Sequence, residues 1–201
     1  TISQIERKKG IKRTIQYRPD GNDFVCVNGK NRYTRALYGG ITDFRIETSD
    51  RPVFAAYKPK DSKHICFRLQ CGNQSIALDS LKFCEARYRA GRRTYRLTDP
   101  LLGKGELNIS VLAFPDAEGG IWRFTMKDMP EGALLHCYIS EIRAKNLSRN
   151  GDMGADRADS FDAPQLPKEQ KHYKLSLDGT TAYIVVEDQE LRLPALVEGT
   201  S

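Results

Sequence analysis

Two polar stretches of the sequence carry side chains that could bind a ligand or do chemistry. The first is "DMGADRADSFD", which contains four aspartates, Asp152, Asp156, Asp159 and Asp162. Carboxylate oxygens are calcium ligands, and two carboxylates about 5 to 10 Å apart can perform the acid–base chemistry of glycoside hydrolysis. The spacing misses the EF-hand pattern and its final glutamate, and four aspartates on one segment do not establish a distance between carboxylates. We therefore predict no catalytic residue, no metal site and no cofactor, with calcium at these aspartates as the alternative.

The second stretch is "NGKNRYTRALYGG", residues 28–40, which places large hydrogen-bonding side chains between two glycine turns. Read as a strand, it has no cleanly apolar face. One interpretation is an edge strand whose arginines form ion pairs with sheet neighbours. The other is a ledge that faces a ligand or a second domain. Arginine donates in a planar fork, and asparagine and tyrosine supply donors and acceptors, so such groups suit hydroxyl-rich or carboxylated ligands such as acidic sugars.

Other features argue against several functional classes. The net charge is +6 and part of the excess lies in the basic run of residues 6–13, but no nucleic-acid-binding motif accompanies it. No serine lies in a Gly-x-Ser-x-Gly elbow, and no glycine-rich turn has the spacing of a phosphate-binding loop. The five cysteines are irregularly spaced, which favours reduced, structural thiols. No apolar run approaches the roughly 20 residues that span a bilayer. We predict neither a nucleic-acid partner nor a transmembrane segment.

The elements that must position these stretches are strands. Helical periodicity is nearly absent, while short runs of alternating apolar residues recur, as in Leu107, Ile109 and Val111. Turn sequences such as "RPDGN" and "DGT" separate these runs and predict hairpins. About a dozen short strands at this spacing predict an all-β domain, a two-sheet antiparallel β-sandwich that is supersandwich-like, with a closed barrel as the alternative. A segment near 143–172 lacks strand character and is predicted to be one long irregular loop.

Three segments resemble a bacterial family of uncharacterised function: "NGKNRYTRALYGG", "SRNGDMGADRADSFDAP" and the near-terminal "AYIVVEDQELRLP". In that family a β-sandwich of similar length forms the N-terminal part of much larger proteins. The part that follows it resembles the helical six-hairpin, (α/α)-barrel glycoside hydrolases. The resemblance covers most of the chain from Arg13 onwards, and none of its motifs is a known catalytic signature.

The resemblance implies a basic N-terminal segment at 1–12, a β-sandwich domain at 13–194 and, at 195–201, the start of a linker to a C-terminal domain. The chain would then be a non-catalytic module of a periplasmic or extracellular, polysaccharide-degrading protein. Its partners would be carbohydrate and a helical catalytic domain of the same polypeptide, which would supply the catalytic carboxylates. The alternatives are an independent carbohydrate-binding module and a self-contained hydrolase or lyase.

On this interpretation the two polar stretches face the helical domain or its substrate, because loops on a rigid scaffold are where ligands usually bind. The predicted substrate- or interface-binding residues are Asn31, Arg32, Arg35, Tyr38, Asp152 and Asp156.

Overall fold

The computed structural model describes residues 16–58, 62–141, 170–187 and 190–192. Within these ranges the chain forms fifteen β-strands and two short 3-10 helices, at Leu78–Ser80 and Pro100–Leu102, and it forms no α-helix. The strands belong to two separate antiparallel sheets. The predicted all-β, two-sheet sandwich is therefore confirmed, and the alternative closed barrel is not formed by the described strands. None of the described helical turns is long or apolar enough to span a bilayer.

One sheet has eight strands in the order β1-β2-β8-β9-β10-β11-β14-β15. Their bounds are β1 (Arg18–Asp20), β2 (Asp23–Val27), β8 (Phe83–Arg89), β9 (Arg92–Thr98), β10 (Glu106–Ala113), β11 (Gly119–Lys127), β14 (Thr181–Glu187) and β15 (Glu190–Arg192).

The other sheet has seven strands, six of them in the order β13-β12-β6-β5-β4-β3, while β7 pairs with β6. Their bounds are β3 (Tyr33–Tyr38), β4 (Arg45–Ser49), β5 (Phe54–Tyr57), β6 (Lys63–Cys71), β7 (Gln74–Ala77), β12 (Leu134–Glu141) and β13 (Gln170–Ser176). β5 and β7 share one edge of β6, since β5 pairs with its first residues and β7 with its last.

The core lies between the two sheets because alternate side chains of each strand point to the same face. Phe54 of β5 stands at its centre, with edge-on ring contacts at 5.7 Å to Tyr95 and 5.5 Å to Trp122, both from the eight-stranded sheet. Phe67 makes a similar contact with Phe124, at 5.5 Å. The alternation that predicts strands therefore also selects the residues that join the sheets.

Two element boundaries differ from the prediction. The first hairpin uses Arg18–Asp20, part of the predicted turn, as its first strand, because Gly21 takes the left-handed φ of +59° that reverses the chain immediately after Asp20. The segment predicted to be irregular near 143–172 ends earlier than expected. Its last residues begin β13, where backbone pairing with β12 organises the polar sequence "QKH". Residues 142–169 lie outside the described residues.

Candidate functional site

The stretch of residues 28–40 contains β3, which ends the strand order of the seven-stranded sheet. The interpretation as an edge strand is therefore confirmed. The ion pairs expected of its arginines are not found among the described residues. Instead the guanidinium of Arg35 lies over two rings, 5.5 Å from the centroid of Tyr17 and 5.2 Å from that of Tyr88, and donates to the Thr34 carbonyl. Arg35 thus joins the edge strand to Tyr88 of the other sheet and to Tyr17, which directly precedes β1.

Asn31 is committed to internal hydrogen bonds. Its amide nitrogen donates to Asp79 Oδ2 at 2.9 Å, and its amide oxygen accepts from Ser49 Oγ at 2.7 Å. Its backbone has a φ of +56°, a left-handed conformation that asparagine tolerates better than most residues. Nearby, the side chain of Arg51 donates to the carbonyls of Gly29, Asp79 and Leu81. The start of the stretch is therefore held against the protein body.

Arg32 and Tyr38 project outward. Arg32 is exposed, and Tyr38 keeps 67% of its surface accessible. Ile41, just beyond the stretch, is fully exposed. We call Arg32, Tyr38 and Ile41 the ledge: Tyr38 ends β3, Arg32 directly precedes the strand, Ile41 lies three residues beyond it, and all three are exposed. The prediction that Asn31, Arg32, Arg35 and Tyr38 contact a substrate or a second domain remains a prediction. Asp152 and Asp156 lie outside the described residues.

Gly39 fixes the position of the ledge on the sandwich. A Cβ at this residue would lie 1.7 Å from the backbone oxygen of Phe114, so no side chain fits between the end of β3 and the end of β10. We expect Gly39→Ala to lower the free energy of unfolding by about 1 to 3 kcal/mol, since the backbone must move to relieve the overlap. Urea unfolding measures this. The control is Gly179→Ala, where a Cβ meets nothing within 4 Å. Equal effects of the two substitutions would contradict the close approach.

A buried polar cluster lies between the sheets behind β3. Arg93 of β9 is completely buried, and its Nη2 donates to the Ser49 carbonyl at 2.7 Å and to the hydroxyl of Tyr17. The carboxylate of Asp50 lies 3.8 Å from the same nitrogen and accepts the hydroxyl protons of Tyr17 at 2.6 Å and Thr34 at 2.8 Å. Burial raises the pKa of Tyr17 above its ordinary value, so this phenol stays a donor at neutral pH. These hydrogen bonds link the two sheets, while Arg93 Nη1 is buried without a hydrogen-bond partner among the described residues.

A histidine pair joins β12 to β13 on the seven-stranded sheet. His136 Nδ1 lies 2.8 Å from His172 Nε2, and His136 Nε2 lies 2.7 Å from the amide oxygen of Gln70. These contacts are satisfied when a neutral His136 donates from Nε2 and accepts from His172. Burial is the main cause that lowers the pKa of His136, and the neighbouring His172 lowers it further. Both effects favour this neutral form. Among the described residues no group of three or more His, Cys, Asp or Glu side chains could hold a metal ion.

The outer face of the eight-stranded sheet carries a shallow hollow of about 350 Å³, here called the arginine hollow. Four neighbouring strands, β8 to β11, supply its side chains. Its outward-facing lining residues are Glu85, Arg87, Arg92, Thr94, Arg96, Asn108, Ser110, Arg123 and Thr125.

Strand pairing explains why these residues meet. Thr94 and Ser110 are direct neighbours across β9 and β10, Arg87 pairs with Thr94, and Arg123 pairs with Ser110. Strands lie about 4.8 Å apart, so the Cα atoms of Arg87 and Arg123 are separated by about 14 Å across a floor of two small hydroxyl side chains. Tyr183 extends the same row beyond Arg123.

The charges of the arginine hollow are only partly balanced. Arg87 pairs with Glu85 at 2.8 Å and with Asp20 at 2.9 Å, and Arg96 lies 3.4 Å from Glu85. Arg92 and Arg123 form no ion pair within the described ranges of the chain. The local charge of the hollow is therefore positive, and these two guanidinium groups can bind an anion from outside.

Together these features define a class: an all-β sandwich of two antiparallel sheets with a braced outward ledge and an open, positively charged hollow. Residues 59–185 match the family described as Domain of unknown function (DUF4450), a match that spans more than half of the chain. The chain therefore belongs to the DUF4450 family. The matched residues include the arginine hollow and exclude the ledge. No curated protein matches the chain.

Sequence reasoning did not single out the arginine hollow. Its residues lie in sequences typical of ordinary strands, such as "AGRRTYRL" and "GIWRF". The available signal was the alternation itself, which puts Arg92, Thr94 and Arg96 on one face of β9. It could not show which other strands lie beside β9.

Proposed function

We propose that this domain is a non-catalytic β-sandwich module of a polysaccharide-degrading glycoside hydrolase. On this proposal it docks on a helical catalytic domain and contributes contacts to the substrate. The observation that carries the proposal is the ledge: Arg32, Tyr38 and Ile41 are exposed in and beside β3. The strand's polar side chains Thr34 and Arg35 make internal contacts instead.

The composition of the ledge supports docking. Tyrosine and arginine are enriched at protein interfaces, and a tyrosine offers a large contact area with little loss of side-chain freedom. Ile41 adds exposed apolar surface that docking would bury. The backbone contact at Gly39 makes the position of the ledge rigid, which lowers the conformational cost of binding.

The proposal is tested by binding between the separately produced sandwich and the helical region of the same natural polypeptide. We expect calorimetry to detect association and the double variant Tyr38→Ala/Ile41→Asp to weaken it about tenfold or more, the effect of removing a central interface residue. The matched control is Tyr183→Ala/Leu112→Asp, which alters an exposed tyrosine and an exposed aliphatic residue on the other sheet.

Three results would overturn docking: a natural polypeptide that encodes no helical region, no measurable association, or equal losses in the test and control variants.

The alternative function is an independent carbohydrate-binding module, which the open arginine hollow favours. A docking module without glycan affinity gives no response when the isolated chain is titrated with glycans, whereas a binding module responds.

A further inference from the structure

We infer that the arginine hollow is a binding site for an anionic polysaccharide, whose carboxylate or sulfate groups are held by Arg92 and Arg123. The inference rests on the proposed function only for the choice of polysaccharide. The preference for negative charge comes from the hollow itself. The arginine hollow lies on the eight-stranded sheet and the ledge on the seven-stranded sheet, so each surface can be tested without the other.

The two arginines are suited to external anions because their charge is not balanced from within. Arg87 and Arg96, on the same face, have acidic neighbours at salt-bridge distance. Arg92 and Arg123 have none among the residues that the structure describes. A guanidinium group offers two parallel N–H donors that match the two oxygens of a carboxylate or of a sulfate ester. A bound anion would supply the partner that the protein does not.

The floor of the hollow is suited to sugar. Thr94 and Ser110 lie side by side between Arg87 and Arg123, and small hydroxyl side chains leave open volume above the sheet. Their hydroxyls can donate to and accept from sugar hydroxyls. Tyr183 lies beside Arg123 in the same row and is partly exposed, so its ring can contact the apolar face of a sugar.

The shape of the site favours an extended chain over a small anion. The row from Arg87 to Tyr183 crosses five strands of a sheet, and the hollow covers the first four of them. Arg92 lies one row away from Thr94 on the same strand, so anionic groups at different positions along a polymer could be bound together. Several weak contacts along one polymer add to a useful affinity.

The test titrates the isolated chain with two matched pairs of polymers: polygalacturonate against its methyl ester, and dextran sulfate against dextran. Duplex DNA is the third polyanion. We expect binding of a charged member and not of its neutral counterpart, weakened by added salt because exposed charges are screened. Binding of polygalacturonate alone identifies carboxylate as the ligand group, binding of dextran sulfate alone identifies sulfate, and binding of both supports the shared anionic chemistry.

Variants localise the binding. Arg123→Ala should weaken the affinity about tenfold, the typical effect of losing a charge-assisted hydrogen bond. The matched control Arg68→Ala removes the same charge from the outer face of the seven-stranded sheet, away from both proposed surfaces, and should leave the affinity unchanged. Ser110→Leu fills the hollow without changing the charge, and it should also weaken binding. Because all three side chains point outward, the variants should keep the thermal unfolding midpoint of the parent chain.

The remaining outcomes overturn the inference. Equal binding of the neutral and charged polymers removes the anionic class while leaving the proposed function intact. Binding of DNA as tightly as of the polysaccharides, with the same dependence on Arg123, identifies a general polyanion surface. No binding of any polymer, or equal losses for Arg123→Ala and Arg68→Ala, removes the site. None of these results bears on docking of the ledge, which is measured separately.

Discussion

Replacing Arg93 by methionine is expected to lower the free energy of unfolding by about 3 to 5 kcal/mol, the usual cost of removing one partner of a buried ion pair. Methionine replaces the aliphatic stem of arginine and carries no charge. Its introduction leaves the carboxylate of Asp50 buried without a nearby cation, and it removes one donor from the Ser49 carbonyl. Tyr95 still donates to that carbonyl at 2.6 Å. The main loss therefore comes from the uncompensated charge of Asp50.

Urea unfolding at neutral pH measures the effect, with the slope of free energy against urea checked for a change in compactness. The control is Arg96→Met on the same strand, whose exposed pairs with Glu85 and Glu106 should contribute about 1 kcal/mol or less. The double variant Arg93→Met/Asp50→Leu should recover part of the loss, since it removes both buried charges. A loss of under about 1 kcal/mol for Arg93→Met alone would contradict this account of the buried pair.

The second large effect is a loss of stability in acid caused by His64. This residue is 8% exposed, and burial lowers its pKa from 6.5 to about 4. Between these two values the unfolded chain binds a proton and the folded chain does not. Acid therefore favours unfolding, and the contribution of His64 is present above pH 6.5 and lost as the pH falls toward 4. The expected loss between pH 7.5 and pH 5 is about 2 kcal/mol, out of about 3 kcal/mol in total.

The substitution His64→Phe should remove this pH dependence. Phenylalanine has a ring and no titrating group. The unfolding free energy of the variant should therefore fall less steeply between pH 7.5 and pH 5 than that of the parent chain. The measured quantity is the difference between the two pH profiles, which is insensitive to any constant change in packing. His136 titrates in the same direction and is present in both proteins, so its contribution cancels. Parallel profiles would show that the pKa of His64 is the same in the folded and the unfolded chain, contrary to its burial.

The two predictions show where local sequence information ends. The class of fold and the first hairpin could be predicted from the sequence, because alternation and turn chemistry are properties of neighbouring residues. The same alternation places His64 on the opposite face of β6 from Ile65, a residue of the core. It does not predict that His64 is buried as well. Solvent access to a sheet face depends on whatever packs on it, and this is not encoded in the strand's own period.

The candidate site shows the same division. One of the two interpretations of residues 28–40, an edge strand, is confirmed, but its expected ion pairs are not found among the described residues. The structure instead commits Asn31 to Asp79 and Ser49, which are distant in sequence. Arg92 and Arg123 occupy ordinary outward positions on their own strands and become one site because β10 lies between β9 and β11. The sequence of this DUF4450 domain therefore specifies strands, turns and the face of each side chain. Which side chains meet was decided by the order in which the strands pair, because that order depends on contacts between distant segments.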